Sequence, residues 1–239
     1  MNPPFPEDDM EFSKYFDHTL LRPDATREDI RSLIDEALQY DFAAVCVNGC
    51  HVRTVEEALA GSGIRTAAVV GFPLGAMSAA AKAKEARIAI EDGADEIDMV
   101  MNIGAAKDGD WNAVGDEIRA LVRTCAGANH LVLLKVILET CLLNDEEIVR
   151  ACRIAKEAGA DFVKTSTGFS FEGATVHAVR LMRQTVGEGM GVKASGGIRN
   201  LADAKAMLEA GASRLGCSAS AAIMEEYQLE ENNTGEMKP

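Results

Sequence analysis

The chain has 239 residues, 47% of them hydrophobic, and a formal net charge of −14. That length and apolar content fit one large α/β domain or two small ones, and the charge argues against a surface for nucleic acid, which would be repelled at long range. The opening MNPPFPEDDMEF lacks a basic segment followed by an apolar one, and no apolar run approaches the roughly 20 residues that cross a bilayer, so a cytoplasmic protein without membrane association is expected.

Eight short β-prone runs follow in order: YFDHTLL (15–21), FAAVCVN (42–48), RTAAVVGF (65–72), DEIDMVMN (95–102), LVLLKVIL (131–138), DFVKTST (161–167), GVKASGG (191–197) and SRLGCS (213–218). Most of the intervening segments carry helical periodicity. Thr26 and Asp29 form a predicted capping box, after which Ile30, Leu33, Ile34, Ala37 and Leu38 make an apolar stripe. After Asn144, the acids Asp145, Glu146 and Glu147 suit a helix start, and Ile148, Ala151, Cys152 and Ala155 make the stripe. Three helix exits share nearly one text, EDGADEI at 91, EAGADFV at 157 and EAGASRL at 209, each with glycine at the expected left-handed position before a strand.

Strands alternating with helices imply parallel strands and right-handed crossovers. Eight of them in 239 residues predict a single (β/α)8 TIM barrel with a short N-terminal extension. An open doubly wound sheet is the runner-up, but no G-x-G-x-x-G fingerprint follows an early strand. One domain is expected over 1–239, with its core at about 13–228 and a mobile polar tail from about 229. Cys46, Cys50, Cys125, Cys141, Cys152 and Cys217 are scattered and read as reduced thiols. Cys46 and Cys50 have a spacing a metal can use on a helix, yet no further ligand accompanies them and small apolar packing is the simpler reading.

A lone charge costs several kcal/mol to bury unless it is paired or neutral, so lysines inside core-like strands need a reason. Lys135, Lys164 and Lys193 are three such residues, and Asp17 and Asp98 also sit in or at the ends of predicted strands. Barrel strands deliver the side chains near their carboxyl ends to one mouth. Convergence there would let burial and like charge lower one lysine pKa, leaving an amine that attacks a carbonyl and forms an imine. The simpler alternatives stay open at this point: a strand-end lysine reaching water, Asp98 as an ion-pair partner, Asp17 as a hydrogen-bonded strand end.

The glycine-bearing stretches STGF, SGGIRN and LGCSAS follow late strands and precede predicted helices, where outward N–H groups favour an anion. Each alone fits a tight turn. Together Ser195, Gly196, Gly197, Gly216 and Ser218, with Arg199 assisting, suggest a phosphorylated small-molecule substrate held by a largely acidic protein.

Six ordered motifs, DHTLLRPDAT, GFPLGA, DEIDMVMNIGA, LKVILET, DFVKTSTGF and VKASGGIR, resemble those of the deoxyribose-phosphate aldolase family over about residues 17–220. The resemblance implies a class I aldolase on a (β/α)8 barrel that reversibly splits 2-deoxy-D-ribose 5-phosphate into D-glyceraldehyde 3-phosphate and acetaldehyde. It makes Lys164 the Schiff-base lysine, Lys193 the second lysine that depresses its pKa, and Asp98 the proton relay. Asp17 and Lys135 join the surrounding network, Cys46 lines the pocket, and Thr167, Gly168, Gly196, Gly197, Gly216 and Ser218 bind substrate. Neither metal nor cofactor is implied, and a homo-oligomer is compatible. Another imine-forming sugar-phosphate aldolase, or a non-catalytic sugar-phosphate binder, are the competing readings. This chain departs from the family in three places: Ser218 is followed by Ala219 where adjacent serines are frequent, Gly49 stands in CVNG for a proline, and Tyr227 lies well before the C-terminus, so a terminal tyrosine role is not carried over.

Overall fold

Eight parallel strands close on themselves in chain order: β1 (Phe16–Leu20), β2 (Ala44–Val47), β3 (Arg65–Val70), β4 (Glu96–Val100), β5 (Leu133–Ile137), β6 (Phe162–Lys164), β7 (Gly191–Ser195) and β8 (Arg214–Cys217). The seam that excludes an open sheet is β8 against β1, with Asp17 opposite Gly216. This computed structural model describes residues 12–235; the expected N-terminal extension and residues 236–239 of the polar tail lie outside the described residues.

The helices are α1 (Arg27–Tyr40), α2 (Val52–Leu59), α3 (Ala79–Glu91), α4 (Ile103–Lys107), α5 (Trp111–Ala126), α6 (Asp145–Ala158), α7 (Val176–Val186), α8 (Leu201–Glu209) and α9 (Ser220–Gly235). At the head of α1 the Thr26 N–H donates to the Asp29 carboxylate at 2.7 Å and the Asp29 N–H donates back to Thr26 Oγ1 at 3.2 Å. Asn144 and Glu147 make the same reciprocal pair before α6. Both boxes satisfy donors that the first helical turn leaves free.

Four of the five residues predicted for the α1 stripe are buried, while Leu38 is 45% exposed. Leu38 lies eight residues past Ile30, about 80° round the wheel, which puts it at the stripe's edge. The three repeated exits behave as the sequence predicts, with φ of 104° at Gly93, 90° at Gly159 and 107° at Gly211.

The main core lies between the barrel's outer face and the helices, where Val45, Ile97, Met99, Leu134, Val136 and Val192 point outward from their strands and are buried. Inside the barrel, the β1–β3 side is filled by a small apolar cluster of Leu21, Ala44, Cys46, Ala67 and Val69. The other side of the interior is ionic. Helix α9 continues through Gly235, so the start of the predicted tail is helical, and Tyr227 packs against the Phe12 ring at a centroid distance of 4.3 Å. Among the described residues no helix is long and apolar enough to cross a membrane.

Candidate active site

Side chains two residues apart on a strand share a face, so β4 presents both Glu96 and Asp98 to the barrel interior. In register beside it, β5 sets Lys135 opposite Asp98, and further round β6 sets Lys164 opposite Lys193 of β7. The Lys135 ammonium donates to Asp98 Oδ1 at 2.9 Å, to Asp17 Oδ2 at 3.1 Å and to Glu96 Oε2. Asp98 Oδ2 accepts from two amines at once, Lys164 Nζ at 2.8 Å and Lys193 Nζ at 2.7 Å. Lys193 also donates to Asp17, whose other oxygen accepts from Arg214 Nε at 2.7 Å. Arg214 reaches on to Glu96 at 3.2 Å.

Three interior carboxylates therefore face four interior cations, all of them largely withdrawn from water. With every group ionised the cluster carries one surplus positive charge in a low-dielectric interior, and the charge is relieved most cheaply by the cation with fewest acid partners. Among the described residues that cation is Lys164, paired with Asp98 alone. Burial, with help from the Lys193 ammonium, pulls its pKa below the ordinary lysine value against the opposing pull of Asp98. Lys135 and Lys193 suffer the same burial, but Asp17 and Asp98, joined at Lys135 by Glu96, overcome it and hold both above the ordinary value. Burial pushes the Asp98 carboxyl upward, yet the three lysines hold it well below the usual range.

Above Lys164 opens a cavity of about 310 Å³ whose lining includes Lys164, Thr167, Gly168, Gly196, Gly197 and Ser218. Its floor is the amine and its rim is the loops after β6, β7 and β8. These loops touch backbone to backbone: a Cβ on Gly173 would lie 2.1 Å from the Gly196 carbonyl oxygen, and one on Gly196 would lie 3.3 Å from Gly168 Cα. Ala174 N–H donates to the carbonyls of Ser195 and Gly196 at 3.0 and 2.9 Å, locking the pair of loops. Among the described residues the N–H groups of Gly168, Gly196 and Gly197 donate to no protein acceptor, so backbone donors remain open where these glycines line the cavity.

A family model described as DeoC/LacD family aldolase matches residues 12–225. The chain belongs to this aldolase family. The deoxyribose-phosphate aldolase of Lactococcus lactis subsp. lactis (strain IL1403) is 56% identical over 223 residues, spanning 93% of this chain and 100% of that one. The protein of the same name from Clostridium novyi (strain NT) is 55% identical over 216 residues, 90% and 96% of the two chains. Among solved structures, the deoxyribose phosphate aldolase from Aeropyrum pernix, described as a unique tetrameric structure, superposes with a TM-score of 0.86 at 33% identity and covers 92% of each chain. The chain is thus an enzyme of the aldolase class of lyases.

In this aldolase the residues predicted from sequence fall into two tiers. Lys164, Thr167, Gly168, Ser195, Gly196, Gly197, Arg199, Gly216 and Ser218 line the cavity. Asp17, Asp98, Lys135 and Lys193 lie beneath it with no exposed surface. Cys46, expected to line the pocket, is instead fully buried in the inner apolar cluster, and burial pushes its thiol up. Gly216 has a spatial duty besides: a Cβ there would sit 2.8 Å from Lys193 Cε.

Sequence reasoning missed Glu96 and Arg214, which complete the ionic floor, Glu139 and Gly173, which brace the loops, and Arg22 and Phe169 on the cavity wall. The signal for the first two was present, since Glu96 stands two residues before Asp98 and Arg214 two before Gly216 on strands of period two. Among the described residues no group of three or more His, Cys, Asp or Glu side chains is arranged to hold a metal.

Proposed function

We propose that the chain catalyses reversible cleavage of 2-deoxy-D-ribose 5-phosphate into D-glyceraldehyde 3-phosphate and acetaldehyde, with Lys164 as the imine-forming amine. The observation that carries this reading is the depressed, singly paired Lys164 at the floor of a cavity walled by free glycine N–H groups. The names of the relatives from Lactococcus lactis and Clostridium novyi support the same substrate.

Lys164 adds to carbon 1 of the open-chain sugar, and loss of water from the carbinolamine leaves an iminium. Removal of the hydroxyl proton at carbon 3 breaks the bond between carbons 2 and 3, and the electron pair flows into the iminium to give an enamine. Glyceraldehyde 3-phosphate departs, the enamine is protonated at carbon 2, and hydrolysis returns Lys164 with acetaldehyde. Asp98 Oδ2, within hydrogen-bond distance of both Lys164 and Lys193, is the relay through which protons enter and leave. The Gly168, Gly196 and Gly197 N–H groups hold the phosphate and fix the reacting bond over the amine. The tetrameric Aeropyrum pernix relative supports an assembly of several copies for this enzyme.

Borohydride reduction in the presence of acetaldehyde tests the reading. A two-carbon adduct on the Lys164 peptide, and loss of cleavage in Lys164→Ala, are the expected results. An active preparation with Lys164 unmodified would sink it, and a higher rate with ketose phosphates would assign a different sugar phosphate.

A further inference from the structure

Glu139 is a buried acid that the chemistry above does not use. It follows β5 in a left-handed backbone conformation, φ 58° and ψ 64°, which a non-glycine residue keeps only when its surroundings hold it there. Its side chain is 2% exposed and points toward the next βα loop rather than toward solvent. There the carboxylate accepts from the Thr167 N–H at 3.3 Å and from the Thr167 hydroxyl. Thr167 Oγ1 in turn accepts from the Phe169 N–H at 3.0 Å.

The result is a closed clamp around Gly168, whose φ of 83° makes the turn between Thr167 and Phe169. Two of the three backbone donors in this turn and the hydroxyl are spent inside the clamp, and the Gly168 N–H is left without a protein acceptor among the described residues, at a residue that lines the cavity. The Thr167 side chain is therefore committed to Glu139 rather than free for the substrate. Charge-assisted bonds of this kind are stronger than neutral ones, and removing one partner leaves buried donors unsatisfied.

We propose that Glu139 is a positioning residue: its carboxylate, delivered from the loop after β5, holds Thr167 so that the turn at Gly168 presents its N–H to the substrate's phosphate. The inference rests on the substrate reading above and extends it to a specificity determinant. Burial raises the Glu139 carboxyl pKa, and the Thr167 donors and the Lys164 charge oppose that rise.

The test compares full-length wild type, Glu139→Gln, Thr167→Val and the double variant on 2-deoxyribose 5-phosphate and on 2-deoxyribose. Glu139→Gln keeps the volume and weakens the clamp. The ratio of kcat/KM for the phosphorylated over the unphosphorylated sugar is expected to fall about tenfold, carried by KM, the size of one charge-assisted bond. The double variant is expected to be no worse than the worse single one, because both break the same contact. Acetaldehyde with borohydride should still label Lys164 in each variant.

An unchanged ratio, or an equal loss on both sugars, overturns the proposal. If Glu139→Gln does not fold, Thr167→Val gives the same ratio test. If wild type itself neither cleaves the sugar phosphate nor labels Lys164, the substrate reading fails instead. Calorimetric titration with inorganic phosphate then decides Glu139 alone, weaker binding to Glu139→Gln supporting it and equal binding overturning it.

Discussion

Gly216 on β8 and Lys193 on β7 share one small space inside the barrel, a Cβ at the glycine coming within 2.8 Å of the lysine Cε and 3.1 Å of the Ser195 Cβ. The glycine thus serves the site by what it lacks, letting the lysine stem cross to Asp17 and Asp98. Gly216→Ala is expected to displace the ammonium and reduce kcat about 100-fold, the scale of a roughly 1 Å misplacement. Overpacking of this size costs about 1–3 kcal/mol, so thermal unfolding should show a folded variant with a modestly lowered Tm. Wild-type kcat in Gly216→Ala would show that the stem has another path.

The like charge of Lys193 helps hold the Lys164 pKa down, and Asp98 holds it up. The neutral amine is the reactive form, so kcat/KM rises with pH through the Lys164 pKa. Lys193→Met removes the repelling charge and frees Asp98 for Lys164, which raises that pKa. The acidic limb of the profile should move to higher pH, beyond any loss in rate. Asp98→Asn removes the supporting charge and should move the limb the other way. Shifts of both variants in one direction would contradict the assignment of the limb to Lys164.

Asp17 and Asp98 have carboxyls held below their ordinary range, burial working against this and the surrounding cations prevailing. Their contribution to stability is present above the unfolded carboxylate value of about 3.9 and is lost as pH falls through the folded pKa values. Denaturant midpoints measured from pH 7 to pH 3 should fall steeply at the acid end, and Asp17→Asn should flatten that fall while lowering stability at neutral pH. A profile identical to wild type would show that the network carries no such linkage.

Behind β4 a second buried ion pair joins Lys82 of α3 to Glu117 of α5 at 2.8 Å, with the Lys82 ammonium also donating to the Val100 carbonyl at 2.8 Å. Lys82→Met leaves Glu117 buried without its cation, a change that costs about 3–5 kcal/mol. Adding Glu117→Gln should recover part of that loss. Chemical denaturation of the single and double variants checks both, and KM for the sugar phosphate should stay at its wild-type value well below the melting temperature.

What was legible in the sequence was legible through local chemistry. Thr26 and Asp29 sit three residues apart and make their capping box without help from the rest of the chain. Gly93, Gly159 and Gly211 announce left-handed exits for the same reason. Lys164 and Lys193 stood out because an ammonium inside an apolar strand demands an explanation. Glu139 did not, since an acid in a loop is ordinary until its partner, 28 residues away at Thr167, is seen. The strand's period puts Cys46 inside the barrel, but only packing shows that it is buried in the apolar cluster, within electrostatic reach of Asp98, Lys193 and Lys164. Gly173 carries no local sign at all; its need arises from the approach of Gly196 from another loop.

An aliphatic barrel interior can drift by single exchanges, a valine for an isoleucine, each nearly neutral. The interlocked floor of Asp17, Glu96, Asp98, Lys135, Lys193 and Arg214 allows no such walk, since each member answers for the charge of at least two others. Replacement by one step strands a partner, so descendants of this chain must change these positions in concerted sets or leave them alone. Innovation in this lineage is thereby channelled to the cavity walls, to uncharged residues such as Phe169 and Ser218, where novelty is free of that constraint.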